Sequence, residues 1–190
     1  MSHQQGDRRF DAAAHEDLAR AGARDAPVEL VEYDPAWPAC YATERDRLQA
    51  LLGGVVVHHI GSTSVPGMVA KPVIDMMALV HDFDPPIEVL VRCAGYQYPE
   101  AFNATLVGRR FFCYPTPARR THHLHLVDER DELDRYLRFR DRLRADPAIA
   151  QEYATLKRTL AKRYANDREA YTEAKTPFIR RIEQLPGGLV

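Results

Sequence analysis

Two short stretches carry residue types that can do chemistry. The first is Gly61-Ser62-Thr63-Ser64, a small-residue turn at the end of the β-branched run 55–60. Such a turn lets the backbone reverse sharply and present N–H groups outward, which suits a phosphate. The three hydroxyls add donors, Gly67 allows close approach of a ligand, and Lys71 supplies a point charge. The bland alternative is a turn rich in small residues joining two strands. The second is Asp75, alone in the apolar run VIDMMALV (73–80). A carboxylate there is costly to desolvate and needs a metal, a cation or several N–H donors. A plain structural salt bridge, to Lys71 or an arginine, is the competing account.

His123 and His125 stand two apart in THHLHLVD (121–128), so on a strand both project from one face while His122 points the other way. Paired imidazoles of this kind hold a divalent metal (Mg²⁺, Mn²⁺ or Zn²⁺) with Asp75, or move protons. His59, on the strand that feeds the turn, lies within reach. The chain has no HExxH or CxxC pattern, so a dedicated zinc-hydrolase site is not indicated. Further along, Tyr153 and Lys157, then Tyr171 and Lys175, sit four apart, and on helices each pair shares a face. Two such pairs suit an anionic ligand. Tyrosine packed in a helix interface, with lysine snorkelling past it, is the alternative. Of the 26 basic residues only Lys71, Lys157, Lys162 and Lys175 are lysines and the other 22 are arginines, so the few lysines point to places that need a compact ammonium.

The elements that must position these groups follow from periodicity. Residues 1–26 read as a polar, loosely docked extension. VELVEY (28–33) alternates like a strand. Asp34-Pro35 opens a helix with Trp37, Tyr41, Leu48, Leu51 and Leu52 on its apolar side. Strands are expected at 55–60, 73–80, 109–115 and 121–128, the last two as a ribbon, and a helix at 84–95. From Asp131 the pattern turns helical, with Asp146-Pro147 as a cap followed by proline and Pro177 placed to kink the last helix. The arginine-rich segment 135–144 reads as a solvated helix face.

With 190 residues the chain suits one compact domain. A formal net charge of −1 argues against a nucleic-acid footprint. No apolar stretch reaches the length of a membrane span, and the N-terminus lacks a signal-peptide pattern, so a cytoplasmic location is expected. Cys40, Cys93 and Cys113 form no pair and read as small buried hydrophobes.

The motifs together resemble the GrpB family: YDPAWPACYATE, HHIGSTSVPGMVAKPVID, THHLHLV, LRFRDRLRADP, YATLK and YTEAKTPFI, in that order, spanning about Val28 to Glu183. The resemblance implies an α+β, nucleotidyltransferase-like (DNA polymerase beta-type) fold over residues 27–186: a mixed sheet, flanking helices and a C-terminal helical segment. In that fold a glycine-serine turn precedes a strand with an acid-x-acid pair, and a third acid lies on a neighbouring strand. Gly61-Ser62 and Asp75 match. Met77 stands at the second acid, and the His123/His125 pair replaces the third. Methionine gives a hard cation no oxygen, which argues against two-metal phosphoryl transfer. GrpB-like domains also occur fused to dephospho-CoA kinases, which implies a link to coenzyme A or nucleotide metabolism. The expected function is binding of a nucleotide or small phosphorylated substrate, with nucleotidyl or phosphoryl transfer. A non-catalytic ligand-binding or accessory domain is the other expectation. Candidate catalytic residues are Asp75, Lys71 and His123. Candidate substrate contacts are Gly61, Ser62, Thr63, Ser64, Lys157, Tyr171 and Lys175. Candidate metal ligands are Asp75, His123 and His125.

Overall fold

The structure is a computed structural model, described here for residues 27–185; the expected N-terminal extension lies outside them. Four strands form one open mixed sheet: β1 (Val57–Ile60), β2 (Ile74–Leu79), β3 (Arg109–Pro115) and β4 (Arg120–Val127), in the order β1-β2-β4-β3. β1 and β2 are antiparallel, as are β3 and β4, while β2 and β4 run parallel at the centre. The helices are α1 (Trp37–Leu51), α2 (Asp84–Arg92), α3 (Glu100–Asn103), α4 (Arg130–Ala145), α5 (Pro147–Arg163), α6 (Arg168–Glu173) and α7 (Thr176–Glu183). This is the expected α+β arrangement, with helices flanking a mixed sheet and a helical C-terminal segment. Among the described residues no helix is long and apolar enough to cross a membrane.

Strand alternation divides the sheet into two faces. Ile74, Met76, Ala78, Leu124, Leu126 and Phe112 face α1 and α2, where Trp37, Leu48 and Leu90 complete the larger core. On the opposite face Ile60, Met77 and Val127 pack under Leu133 of α4. Asp75, His123 and His125 share this second face by alternation, just beyond the part that α4 covers. The loop 61–72 touches the sheet at its ends, through Gly61 and Ala70, and packs its middle on the helical half. Its Val65, Met68 and Val69 are buried against Leu143, Tyr153, Ala154, Phe178 and Ile182 of α4, α5 and α7. The helical half is therefore the bed on which the glycine-serine loop lies.

Several expectations are corrected. The run 28–33 is not a strand. It makes one bridge, Val31 to Ala70, with N–H···O distances of 2.8 and 3.0 Å, and so straps down the end of the loop. α1 begins at Trp37; Trp37, Glu44 and Leu48 are its buried residues, and Leu51 is turned outward at 37% exposure. Cys40 and Cys93 are exposed and only Cys113 is buried. The last helical stretch does not kink at Pro177 but breaks before it, and Pro177 sits in the first turn of α7, where a missing N–H costs nothing. Asp146 behaves as expected, its carboxylate accepting from the N–H groups of Ala148 and Ile149.

Candidate functional site

Gly61 begins the site. Its φ is +69°, in the left-handed region that glycine alone adopts freely. A side chain there would also collide with Asp75: an added Cβ would lie 2.5 Å from Asp75 Oδ2. The register Ile60↔Asp75 places the turn directly over the carboxylate. Two requirements, backbone sign and space, thus meet at one residue. The next three residues form a single 3-10 turn, Ser62–Ser64.

The three hydroxyls serve different ends. Ser64 Oγ donates to the Gly61 carbonyl at 2.6 Å and faces away from the cleft. Thr63 Oγ1 is buried between the His59 ring and the Val73 carbonyl, at 3.1 and 3.3 Å. Ser62 Oγ alone is turned toward a ligand-sized space, accepting from Lys157 Nζ at 2.9 Å. The Ser64 and Thr63 hydroxyls are thus engaged within the turn and its strands, while Thr63 still lines the cleft beside Ser62. Lys157 also donates to the Val69 carbonyl and lies 4.8 Å from the Tyr153 ring centroid. It ties both ends of the loop to α5.

Asp75 and His123 are register partners on β2 and β4, and His123 Nδ1 lies 2.9 Å from Asp75 Oδ1. Burial works to raise the Asp75 carboxyl, but the His123 hydrogen bond, with His125 and Lys71 nearby, holds it below the usual carboxylate range. Burial lowers His123, outweighing Asp75, so the ring is neutral near pH 7. A neutral ring beside an ionised carboxylate carries its proton on Nδ1 and a lone pair on Nε2. His125 is driven further down by burial and by Arg109. Among the described residues the buried side-chain polar atoms without a hydrogen-bond partner are His123 Nε2, His125 Nδ1 and Arg109 Nε.

Asp75, His123 and His125 do not come together as a metal triad. Among the described residues no three His, Cys, Asp or Glu groups are placed to hold an ion. One Asp75 oxygen is engaged by His123 and the other lies under Gly61. Met77, at the position of the second acid, is fully buried against Ile60, Val127 and Leu133. The residues present do not fit the two-metal arrangement of the fold.

These groups line one cleft of about 1020 Å³. Its wall is strongly cationic. Lys71 is brought down to about 7 by burial and by repulsion from Arg168 and Lys175. Lys157 falls to about 7 through burial, Lys175 and Arg158, and Lys175 to about 8 through burial opposed by Asp75. Lys71 and Lys175 both lie over the Tyr171 ring, at 5.8 and 4.4 Å from its centroid. Burial pushes the Tyr171 phenol up to about 12, so it remains neutral. Three of the four lysines therefore converge here, while Lys162 is exposed on the outer surface of α5. Arg109, Arg120 and Arg168 also line the cleft and were not singled out from the sequence, because 22 arginines mask any three of them. Phe111, expected only as a strand residue, and Phe102, in a stretch with no expected element, line it too.

The arginine-rich segment is not simply a solvated face. Arg140 donates to the His59 carbonyl at 2.9 Å, and Arg144 donates twice to the Ser64 carbonyl, at 2.9 and 2.7 Å. One turn of α4 thus grips the backbone on both sides of Gly61-Ser62.

The GrpB protein family model matches residues 27–185. The chain belongs to the GrpB family. It is 37% identical over 162 residues to the UPF0157 protein YqkA of Bacillus subtilis, covering 83% of this chain and 46% of that one. It is 32% identical over 195 residues to a dephospho-CoA kinase of Mycolicibacterium paratuberculosis, covering 88% of this chain and 47% of the kinase. The chain thus spans about half the length of either relative. The crystal structure of GrpB from Enterococcus faecalis superposes with a TM-score of 0.72 at 38% identity, covering 82% of this chain and 95% of that one. This GrpB neighbour fits the nucleotidyltransferase-like fold, with the departures at Met77 and His123 described above.

Proposed function

We propose that this GrpB-family chain binds a nucleotide or another small, multiply phosphorylated molecule in the cleft, and transfers a nucleotidyl or phosphoryl group from it. The observation that carries this reading is the crowding of Lys71, Lys157, Lys175, Arg120 and Arg168 in one cleft with a half-buried hydroxyl, Ser62 Oγ, and one engaged carboxylate. Crowded cations, here Lys157 buried and the other four half-buried, are relieved by an anion. Lys71 and Lys175 are the phosphate contacts, with Gly61 and Ser62 as the backbone against which it rests. In the transfer, the hydroxyl oxygen of an acceptor would bond to phosphorus as the bridging P–O bond to the leaving phosphate breaks; His123 Nε2 would take the hydroxyl proton, with Asp75 fixing the tautomer and stabilising the imidazolium, and Lys71 and Lys175 would take the charge of the leaving group. The likeness to dephospho-CoA kinases, whose name places them in coenzyme A metabolism, supports a phosphorylated nucleotide-like ligand.

A second reading, non-catalytic binding, is favoured by Met77: the second acid is not displaced but absent, and its place is sealed core. Calorimetry with a nucleotide panel, with and without Mg²⁺, Mn²⁺ or Zn²⁺, tests the binding half. The expected result is saturable binding that the Lys71→Met, Lys175→Met double variant weakens by more than about tenfold, the effect of removing two charge-assisted contacts. No binding above background would overturn it. Product analysis with the bound nucleotide separates the readings. Turnover lost in Asp75→Asn supports transfer, and binding without turnover supports the second reading.

A further inference from the structure

The cleft has two chemically different ends. The contacts run in sequence from one to the other. Lys175 and Lys71 lie on Tyr171, Asp75 is bonded to His123, and His123 meets the Phe111 ring edge-on at a centroid distance of 5.0 Å. Phe111 then touches His125 at 5.2 Å and Phe102 at 5.4 Å. Pro99, Ala101 and Thr105 complete that wall. Phe102 is 48% exposed at its lip, a large apolar surface left to water.

Two of the three unpartnered buried polar atoms, Arg109 Nε and His125 Nδ1, belong to this apolar end. A buried donor or acceptor without a partner is costly, and such atoms are retained where something else satisfies them. Phosphate does not suit the aromatic wall, which offers ring faces and a few directional groups. A flat ring with polar edges suits both features. Its face stacks on phenylalanine and its edge meets Arg109 and His125. A cavity of about 1020 Å³ is at the upper end of the range that takes a nucleotide-sized ligand whole.

We infer that the Phe102–Phe111 end of the cleft is a ring-binding subsite that takes the nucleobase of a nucleoside polyphosphate, with its phosphates on the lysine end and the joining sugar beside Asp75 and His123. This rests on the phosphate reading above, so the test separates the two. Calorimetry on the full chain compares tripolyphosphate with the four ribonucleoside triphosphates at fixed pH and salt. At least one triphosphate binds about tenfold tighter than tripolyphosphate, the scale of a base stacked on an aromatic ring. Phe102→Ala removes that advantage without changing tripolyphosphate affinity, and Phe102→Tyr retains it. The His125 Nδ1 resonance moves with the triphosphate and not with tripolyphosphate. Equal affinities, or an advantage that survives Phe102→Ala, overturn the subsite and leave the phosphate reading standing. Absence of binding by either probe overturns both.

Discussion

Gly61 is held to glycine twice, by a positive φ and by Asp75 Oδ2 lying 2.5 Å from where a Cβ would sit. Gly61→Ala should therefore cost about 2–3 kcal/mol, the scale of backbone strain at such a position, and displace Asp75 from His123. Chemical denaturation measures the first. Loss of the Nδ1-protonated His123 signal in ¹⁵N spectra measures the second. The lysines behave in the opposite way. Lys175 is half-buried, lowered to about 8 by desolvation, and lies near Asp75 and Arg168. Lys175→Met should raise the melting temperature of the ligand-free protein at pH 7 while weakening tripolyphosphate binding, a trade between stability and function. A variant that loses both would identify Lys175 as a purely structural group. At this scale the sequence was informative for Asp75, for the histidine pair and for the scarce lysines. A polar group in an apolar run, or a rare residue type, is conspicuous without a fold. It was uninformative for Ser64 and Thr63, whose hydroxyls are consumed by a turn geometry that spacing does not reveal.

Elements set the next level. The four strands were legible because β-branched and aromatic runs bounded by glycine and proline have few alternatives. The run 28–33 alternates just as well but is no strand, since pairing needs a free edge and the loop offers only Ala70. The role of α4 could not be read either. Arg140 and Arg144 look like any exposed pair four residues apart, and their partners are carbonyls more than 75 positions earlier in the chain, at His59 and Ser64. Arg144→Met should lower stability by about 1–2 kcal/mol, the worth of a hydrogen bond to a charged group, and weaken phosphate binding through the displaced turn. Arg144→Lys should recover only part of it, because one ammonium cannot reproduce the two-pronged contact. Thermal melts and calorimetry on both variants check this; unchanged binding in Arg144→Met would separate α4 from the site.

For the whole molecule the lysine cluster sets the pH response. Lys71 and Lys157 fall to about 7 and Lys175 to about 8 in the folded chain, from an ordinary 10.5. Between those values and 10.5 the unfolded chain binds more protons than the folded one, so stability rises with pH across that window; it falls across the same window on acidification and levels off below about 7. Melting curves from pH 7 to 10 should show this rise. Tripolyphosphate should flatten it by holding the lysines protonated, and binding should take up protons near pH 8 and weaken above it. Calorimetry in buffers of different ionisation enthalpy measures the uptake. A melting temperature flat with pH would mean the ammoniums are better solvated than the cleft allows.

The grip of α4 and α5 on the glycine-serine turn has one more consequence. The floor of the cleft, with Asp75 and His123, is complete once the sheet has formed, whereas Lys157, Arg168, Tyr171 and Lys175 all follow in chain order. During synthesis the Asp75–His123 pair therefore exists first as an open patch of sheet, with only Lys71, Arg109 and Arg120 of the cationic wall beside it. A ligand held by that wall can be retained only by a chain that has been made as far as α7. Binding then doubles as a check on completeness: truncated products, however well their sheet folds, are left without it.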